Sequence, residues 1–273
     1  MTWVGARRWP GVEIWLLNNL STLALFLLIC GGAVIVAVTG CLLVRRKVPV
    51  VAQGKYNDMI GVVLGMYAAI YGIILAFVVV AEWEGLGEAQ TNVAAEASQT
   101  AEVLREADAF PPGQRREVTE AMDAYVHAVV DKQWPLMREG RADPNLTNPE
   151  ITALYRAYQD YEPKTEVEKT YYSQSVATLA DIASARRTRL SDAQQELPVL
   201  LTVLVYGGAL VMLPLTFLYG IEGLRAQLTF VTSVAALIGV SLLLVLTLDH
   251  PFSGAVSVSP APFREGVLAQ FWP

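Results

Sequence analysis

The chain has 273 residues, a formal net charge of −6 and only 17% charged residues, with a mean hydropathy of +0.39. That composition excludes an ordinary soluble domain, and the length excludes a large multi-domain enzyme. The acidic balance argues against nucleic acid as a partner and leaves the lipid bilayer as the first partner to test.

Crossing a hydrocarbon core about 30 Å thick takes about 20 helical residues at about 1.5 Å each. Four runs without Asp, Glu, Lys, Arg or His are long enough. The first lies within Ile14 to Val44, the second is Met59 to Ala81, the third Leu197 to Ile221 and the fourth Ala226 to Leu248. Buried helices of soluble proteins rarely run so far without a charge. The expected fold is therefore an all-α membrane protein, with four transmembrane helices in two antiparallel hairpins and a helical extramembrane insert between the second and third.

An N-terminal segment, residues 1–15, carries Trp3, Arg7, Arg8 and Trp9. The first run then has two readings. Arg7 and Arg8 ahead of it, and Val38-Thr39-Gly40-Cys41 within it, resemble a processed signal. Its apolar stretch, however, far exceeds the roughly 7 to 15 residues of a signal core and continues through Leu42, Leu43 and Val44 into Arg45-Arg46-Lys47. A retained span is the preferred reading. Cys30 and Cys41 fall inside it on nearly one helical face, where they read as small packing residues rather than a disulfide.

Residues 16–81 make the first expected hairpin, turning around Arg45 to Asp58, with Trp15 and Tyr56 suited to the interface. In its second span Gly61, Gly65, Ala69, Gly72 and Ala76 recur every three or four residues. Lipid offers little hydrophobic force between helices, so close backbone approach along such a stripe supplies the attraction. The stripe should face another helix, with a helix of the same chain preferred over a neighbouring subunit.

The insert, residues 82–196, holds 21 acidic and 12 basic residues, a balance of −9. Val93, Ala97, Thr100, Ala101, Leu104 and Ala107 form a helical stripe that stops before Pro111-Pro112-Gly113. Val118, Met122, Tyr125, Val126, Val129 and Val130 form a second, running towards Trp134. Ile151, Leu154, Tyr155 and Tyr158 predict a shorter third helix broken by Pro163, and Val167, Tyr171, Thr178 and Ile182 a fourth leading to the third span. The outer insert helices are expected to continue the second and third spans beyond the bilayer. Residues 197–248 make the second expected hairpin around Glu222-Gly223-Leu224-Arg225, with Pro214 bending the third span. Residues 249–273 form the C-terminal segment. Its Asp249 and Pro251 should end the fourth helix, and Phe252 can fold back onto the membrane edge.

Catalytic chemistry is sparse. The chain has only His127 and His250, no cysteine outside the first span, no Gly-rich phosphate loop and no His-Glu-x-x-His spacing. No enzyme activity, catalytic residue, cofactor or metal is expected. Glu82, Glu84 and Glu88 read as a solvated helix face, with a cation-holding cluster as the alternative. Asp249 and His250 read as a structural cap, with a ligand or gating role as the alternative. No ionisable residue lies within the spans, so any ion path must use apolar residues, hydroxyls or backbone groups.

Several strings together resemble the bacterial bestrophin-like domain family of unknown function. They are Phe77 with Trp83-Glu84, Glu96-Ala97, Tyr125, Trp134-Pro135-Leu136-Met137, Leu197-Pro198 and Leu248-Asp249-His250-Pro251-Phe252-Ser253-Gly254. The resemblance runs from the first span to the C-terminus, and Trp134-Pro135 and Asp249-x-Pro251-Phe252-Ser253-Gly254 are its most specific parts. It marks Trp83, Glu84, Trp134, Pro135, Asp249, Pro251, Phe252 and Gly254 as signature residues without assigning them roles. The family commonly has Glu before Trp-Pro, where this chain has Gln133. Bestrophins are oligomeric anion channels with two membrane hairpins and a helical intracellular body, so the resemblance implies a homo-oligomer with an ion-channel role. This chain lacks their acidic run after the fourth span and their Phe-rich constriction in the second. The alternative is a non-conducting scaffold or sensor whose acidic insert binds a protein partner.

Location in the cell's inner (plasma) membrane follows from the spans. Arg45, Arg46, Lys47 and Lys55 crowd the first loop, which favours an extracytoplasmic insert. The bestrophin resemblance implies the opposite side.

Overall fold

A computed structural model describes residues 10–48, 50 and 53–273. Trp3, Arg7, Arg8 and Trp9 lie outside them. Among the described residues every regular element is helical and no strand occurs. The principal helices are α1 (Pro10–Asn19), α2 (Thr22–Lys47), α3 (Asn57–Glu106), α4 (Pro112–His127), α5 (Trp134–Arg138), α6 (Asn148–Gln159), α7 (Glu166–Asp192), α8 (Val199–Leu218) and α9 (Leu224–Leu248). Four of these, α2, α3, α8 and α9, are long and apolar enough to span a membrane. The chain is an all-α membrane protein.

The first apolar run is not one helix. It is interrupted at Leu20 and Ser21, where the Ser21 hydroxyl accepts a hydrogen bond from Ala24 N at 3.2 Å and starts α2. A π-turn over Leu27–Gly31 follows within α2.

Expected continuity between spans and insert holds at one end only. Helix α3 runs unbroken from the second span into the insert. Helix α7 stops at Asp192, and residues 193–198 are non-helical before α8 begins. Pro198 explains this break, because it cannot donate a backbone hydrogen bond and steers Leu197 away from helical geometry.

The chain divides into two compact units. The helical body comprises the described residues up to Trp15, Gly85–Gln195 and His250–Pro273, so the C-terminal segment belongs with the insert. Its core holds Val118, Met122, Tyr125 and Val126 of α4, Leu154 and Tyr158 of α6, and Leu179 and Ile182 of α7, all buried. All but Leu179 are positions that the helical periodicity places on the inner faces, whereas Val167 and Tyr171 at the start of α7, expected on the same stripe, are exposed. A π-turn over Ala128–Gln133 joins α4 to α5 ahead of Pro135, which has no N–H to continue an α-helical ladder.

The membrane unit comprises Leu16–Glu84 and Glu196–Asp249. In it Ala37, Cys41, Val231, Ala235 and Phe217 form one buried cluster. Backbones approach closely there. A Cβ on Gly40 would lie 2.5 Å from the Phe217 ring, and one on Gly239 would lie 2.8 Å from Cys30 Cα. Cys30 and Cys41 are free thiols buried in this packing. Helix α3 joins through Leu64, Tyr71, Leu75 and Val78 against Val205, Ala209 and Met212 of α8 and Ile238 and Val245 of α9. The Tyr71 hydroxyl donates to Val205 O at 2.7 Å, its ring lying where Gly208 has no side chain.

Candidate functional site

The helical body is organised around a fully buried ion pair. Glu96 on α3 and Arg189 on α7 are both 0% exposed. Arg189 Nε donates to Glu96 Oε2 at 2.7 Å and Nη2 donates to Oε1 at 3.1 Å. The Tyr125 hydroxyl of α4 donates to the same Oε1 at 2.5 Å, and Arg189 Nη1 contacts Met137 Sδ of α5 at 3.1 Å. Burial opposes the charge on Arg189, but the adjoining carboxylate outweighs it and holds the guanidinium pKa above its usual value. Burial, reinforced by the Glu96 charge, pushes the Tyr125 hydroxyl well up. Four helices are thus tied together by a charge that water does not reach.

Trp134 packs on this centre. The Arg189 guanidinium sits 5.8 Å from its ring centre, and the Phe252 and Phe263 rings meet it edge-on at 5.6 and 6.5 Å. Phe252 therefore packs within the helical body. It is 2% exposed in the helical body, where Ser253 Oγ donates to Arg138 O at 2.8 Å. Gly254 adopts φ +80°, a backbone setting that favours glycine and turns the chain after Phe252. Pro251 stands at this turn, its carbonyl accepting from Val258 N at 2.7 Å, and Pro135 is exposed.

Gln133, the residue before Trp134-Pro135, is also fully buried. Its amide donates to Asp143 O at 3.0 Å and accepts from the Thr147 hydroxyl at 2.9 Å. A neutral amide suits a place that needs both a donor and an acceptor. The Thr147 oxygen in turn accepts from Arg186 Nε at 2.7 Å.

Asp249 belongs to the membrane unit. Its Oδ1 accepts from Leu197 N at 2.7 Å, tying the end of α9 to the start of α8. At their other ends, Arg45 donates to Ile221 O at 2.9 Å and Glu222 O at 2.8 Å and also bonds Gln227, while Asn57 and Gly220 exchange two hydrogen bonds at 2.6 and 2.9 Å. Trp83, 65% exposed, and Glu84 are both exposed on α3.

The glycine and alanine stripe of α3 is similarly open. Gly61 approaches Tyr219, its Cβ position 3.5 Å from the ring, but a Cβ on Gly65 or Gly72 would meet nothing within 4 Å, and Ala69 and Ala76 are exposed. Within the chain, close helix packing uses Gly40, Gly208 and Gly239 instead. Large apolar residues flank the stripe, among them Met66, Ile70, Ile73 and Phe77, each at least 59% exposed.

Sequence comparison bears on the same residues. A family model described as the Bestrophin-like domain matches residues 31–263. The chain belongs to the bestrophin-like family. The match takes in most of the first span, the other three spans, the buried centre and the turn at Gly254. No curated protein and no solved structure matches. For the bestrophin-like signature residues, the geometry brings together Trp134, Phe252 and Gly254 and adds Glu96, Tyr125 and Arg189. Arg189 was not singled out by sequence, although it continues the apolar stripe through Thr178 and Ile182, and a charge in that register was its signal.

Proposed function

We propose that this bestrophin-like chain is a non-enzymatic membrane protein that assembles with copies of itself and conducts ions, with α3 of each copy facing the common axis. The observation that carries this reading is the open α3 stripe. Gly65, Ala69, Gly72 and Ala76 leave a shallow backbone surface with no partner among the described residues, and small residues are what membrane helices use for close approach. Family membership supplies the functional direction. The absence of charges along the span fits a path lined by apolar and backbone groups.

Gly72→Leu tests the assembly. The single chain has room for the larger side chain, so folding and melting temperature should hold, while the assembly should dissociate in native mass spectrometry of detergent-purified protein. A wild-type protein that is monomeric there, or a G72L assembly unchanged in subunit number, defeats the proposal. Assembly without conductance would favour a scaffold or sensor.

The charge bias supports an extracytoplasmic insert in the plasma membrane. Ser173 and Gln53 are both exposed and suit cysteine labelling from outside intact cells. Thr147 would be a poor reporter because it is fully buried. A Cys at 173 should label and a Cys at 53 should not; the reverse result places the insert in the cytoplasm.

A further inference from the structure

One cleft in the helical body carries positive charge with no acidic residue in its lining. It lies between the loop at Pro144, α6 and α7, and is an open cleft of about 630 Å³, within the roughly 300 to 1,000 Å³ typical of small-molecule sites. Arg186, Arg187, Tyr155, Ile151 and Leu190 are among its lining residues, and no lining residue is Asp or Glu. This stands out in an insert whose balance is −9, from 12 basic and 21 acidic residues.

Arg186 is 6% exposed. Its Nε donates to Thr147 Oγ1 at 2.7 Å, and its Nη2 donates to Asn148 Oδ1 at 2.9 Å and to Pro144 O. Every one of these acceptors is neutral, and Nη1 is left for a ligand. Glu96, whose field reaches Arg186, is already bonded to Arg189 and Tyr125. Buried cations are ordinarily paired, because the loss of hydration costs several kcal/mol per ion. Arg187 stands next to Arg186 at the cleft, exposed and likewise without an ion pair among the described residues. Holding the Pro144 loop accounts for three bonds of Arg186 but leaves the second guanidinium and the apolar wall without a purpose.

We propose that this cleft binds a small organic anion, its charged group on Arg186 Nη1 and Arg187 and its flat apolar body against Tyr155, Ile151 and Leu190. The site stands on the helical body alone and is read without any ion flux. The planar guanidinium fork of Arg187 suits a phosphate or carboxylate, with Arg186 Nη1 as a further donor, and Tyr155 offers a face for a ring.

The test is isothermal titration of the detergent-purified full chain with phenyl phosphate, inorganic phosphate and phenol. Phenyl phosphate should bind saturably, at least about tenfold more tightly than inorganic phosphate, with phenol weaker still. Arg187→Gln, at an exposed position, should weaken phenyl phosphate binding at least about tenfold at an unchanged melting temperature. Tyr155→Leu should erase the advantage of phenyl phosphate over inorganic phosphate. No saturable phenyl phosphate binding up to about 10 mM, equal affinity for the two phosphates, phenol binding as tightly, or an R187Q affinity equal to wild type would each overturn the proposal.

Discussion

Replacing Arg189 by Met removes the cation from a carboxylate that is 0% exposed. Two N–H donors, at 2.7 and 3.1 Å, disappear, and Glu96 keeps only the Tyr125 hydroxyl at 2.5 Å. Breaking a buried pair from one side costs about 3 to 5 kcal/mol, because the remaining charge is stranded out of water. For a chain of this size that is a fall of roughly 10 °C in melting temperature. Glu96→Leu strands the guanidinium and should cost a similar amount. The pair removed together, Glu96→Leu with Arg189→Met, leaves no buried charge at this position. Its main debt is the Tyr125 hydroxyl without its acceptor, about 1 to 3 kcal/mol. The double variant should therefore melt above both single variants. Thermal unfolding of the purified full chain, followed by tryptophan fluorescence, reads this directly, since Trp134 lies 5.8 Å from the Arg189 guanidinium. An R189M protein that melts with wild type, or a double variant whose loss equals the sum of the singles, refutes the reasoning.

Glycine substitutions separate closed from open helix faces. Gly239→Ala should lower the melting temperature because its Cβ would meet Cys30 backbone at 2.8 Å, whereas Gly65→Ala, with nothing within 4 Å, should not. Equal melting of the two would remove the distinction. The start of α7 supplies a pH-dependent case. Thr165 Oγ1 accepts from Glu168 N at 3.1 Å, and Glu168 Oε2 accepts from the Tyr161 hydroxyl at 2.6 Å and from Lys164 N at 2.8 Å. The Tyr161 bond, followed by that of Lys164, holds the Glu168 pKa below its ordinary 4.5. A depressed folded pKa gives stability that is complete above the unfolded value and is lost as pH falls through the folded one. Melting temperature should thus decline below about pH 4.5, and Glu168→Gln should flatten part of that decline. An identical acid slope in both proteins would exclude the contribution. Thr165→Ala should cost about 1 kcal/mol at neutral pH by removing the N-cap, measurable as a lower midpoint in chemical denaturation; an unmoved midpoint would show that the cap is unimportant.

The four spans were legible because uncharged runs of that length have few other physical uses, and the insert helices because their apolar residues recur with helical period. The break at Leu20 and Ser21 was less visible, since a cap of one serine sits inside a run that stays apolar on both sides. Glu96 and Arg189 are each a charge on an otherwise apolar stripe, which marks a buried ion pair in principle, but 93 positions separate them and neither names the other. The packing of Phe252 against Trp134 was not legible because its segment has turns rather than periodicity, and turns carry no information about the surface it meets. The α3 stripe predicts close packing against another helix, yet Gly65 and Gly72 meet nothing within 4 Å, whereas Gly40, Gly208 and Gly239, outside that stripe, make the close approaches among the described residues.

An ion path along α3 in an assembly of copies is probed by the conductance of Ile73→Cys protein in a planar bilayer, because Ile73 flanks the packing stripe and is exposed. In symmetric potassium chloride, a small charged thiol reagent should block the I73C conductance and leave the wild-type protein unaffected, because Cys30 and Cys41 are buried. Absence of conductance in the wild type, or an I73C conductance indifferent to the reagent, would contradict the path.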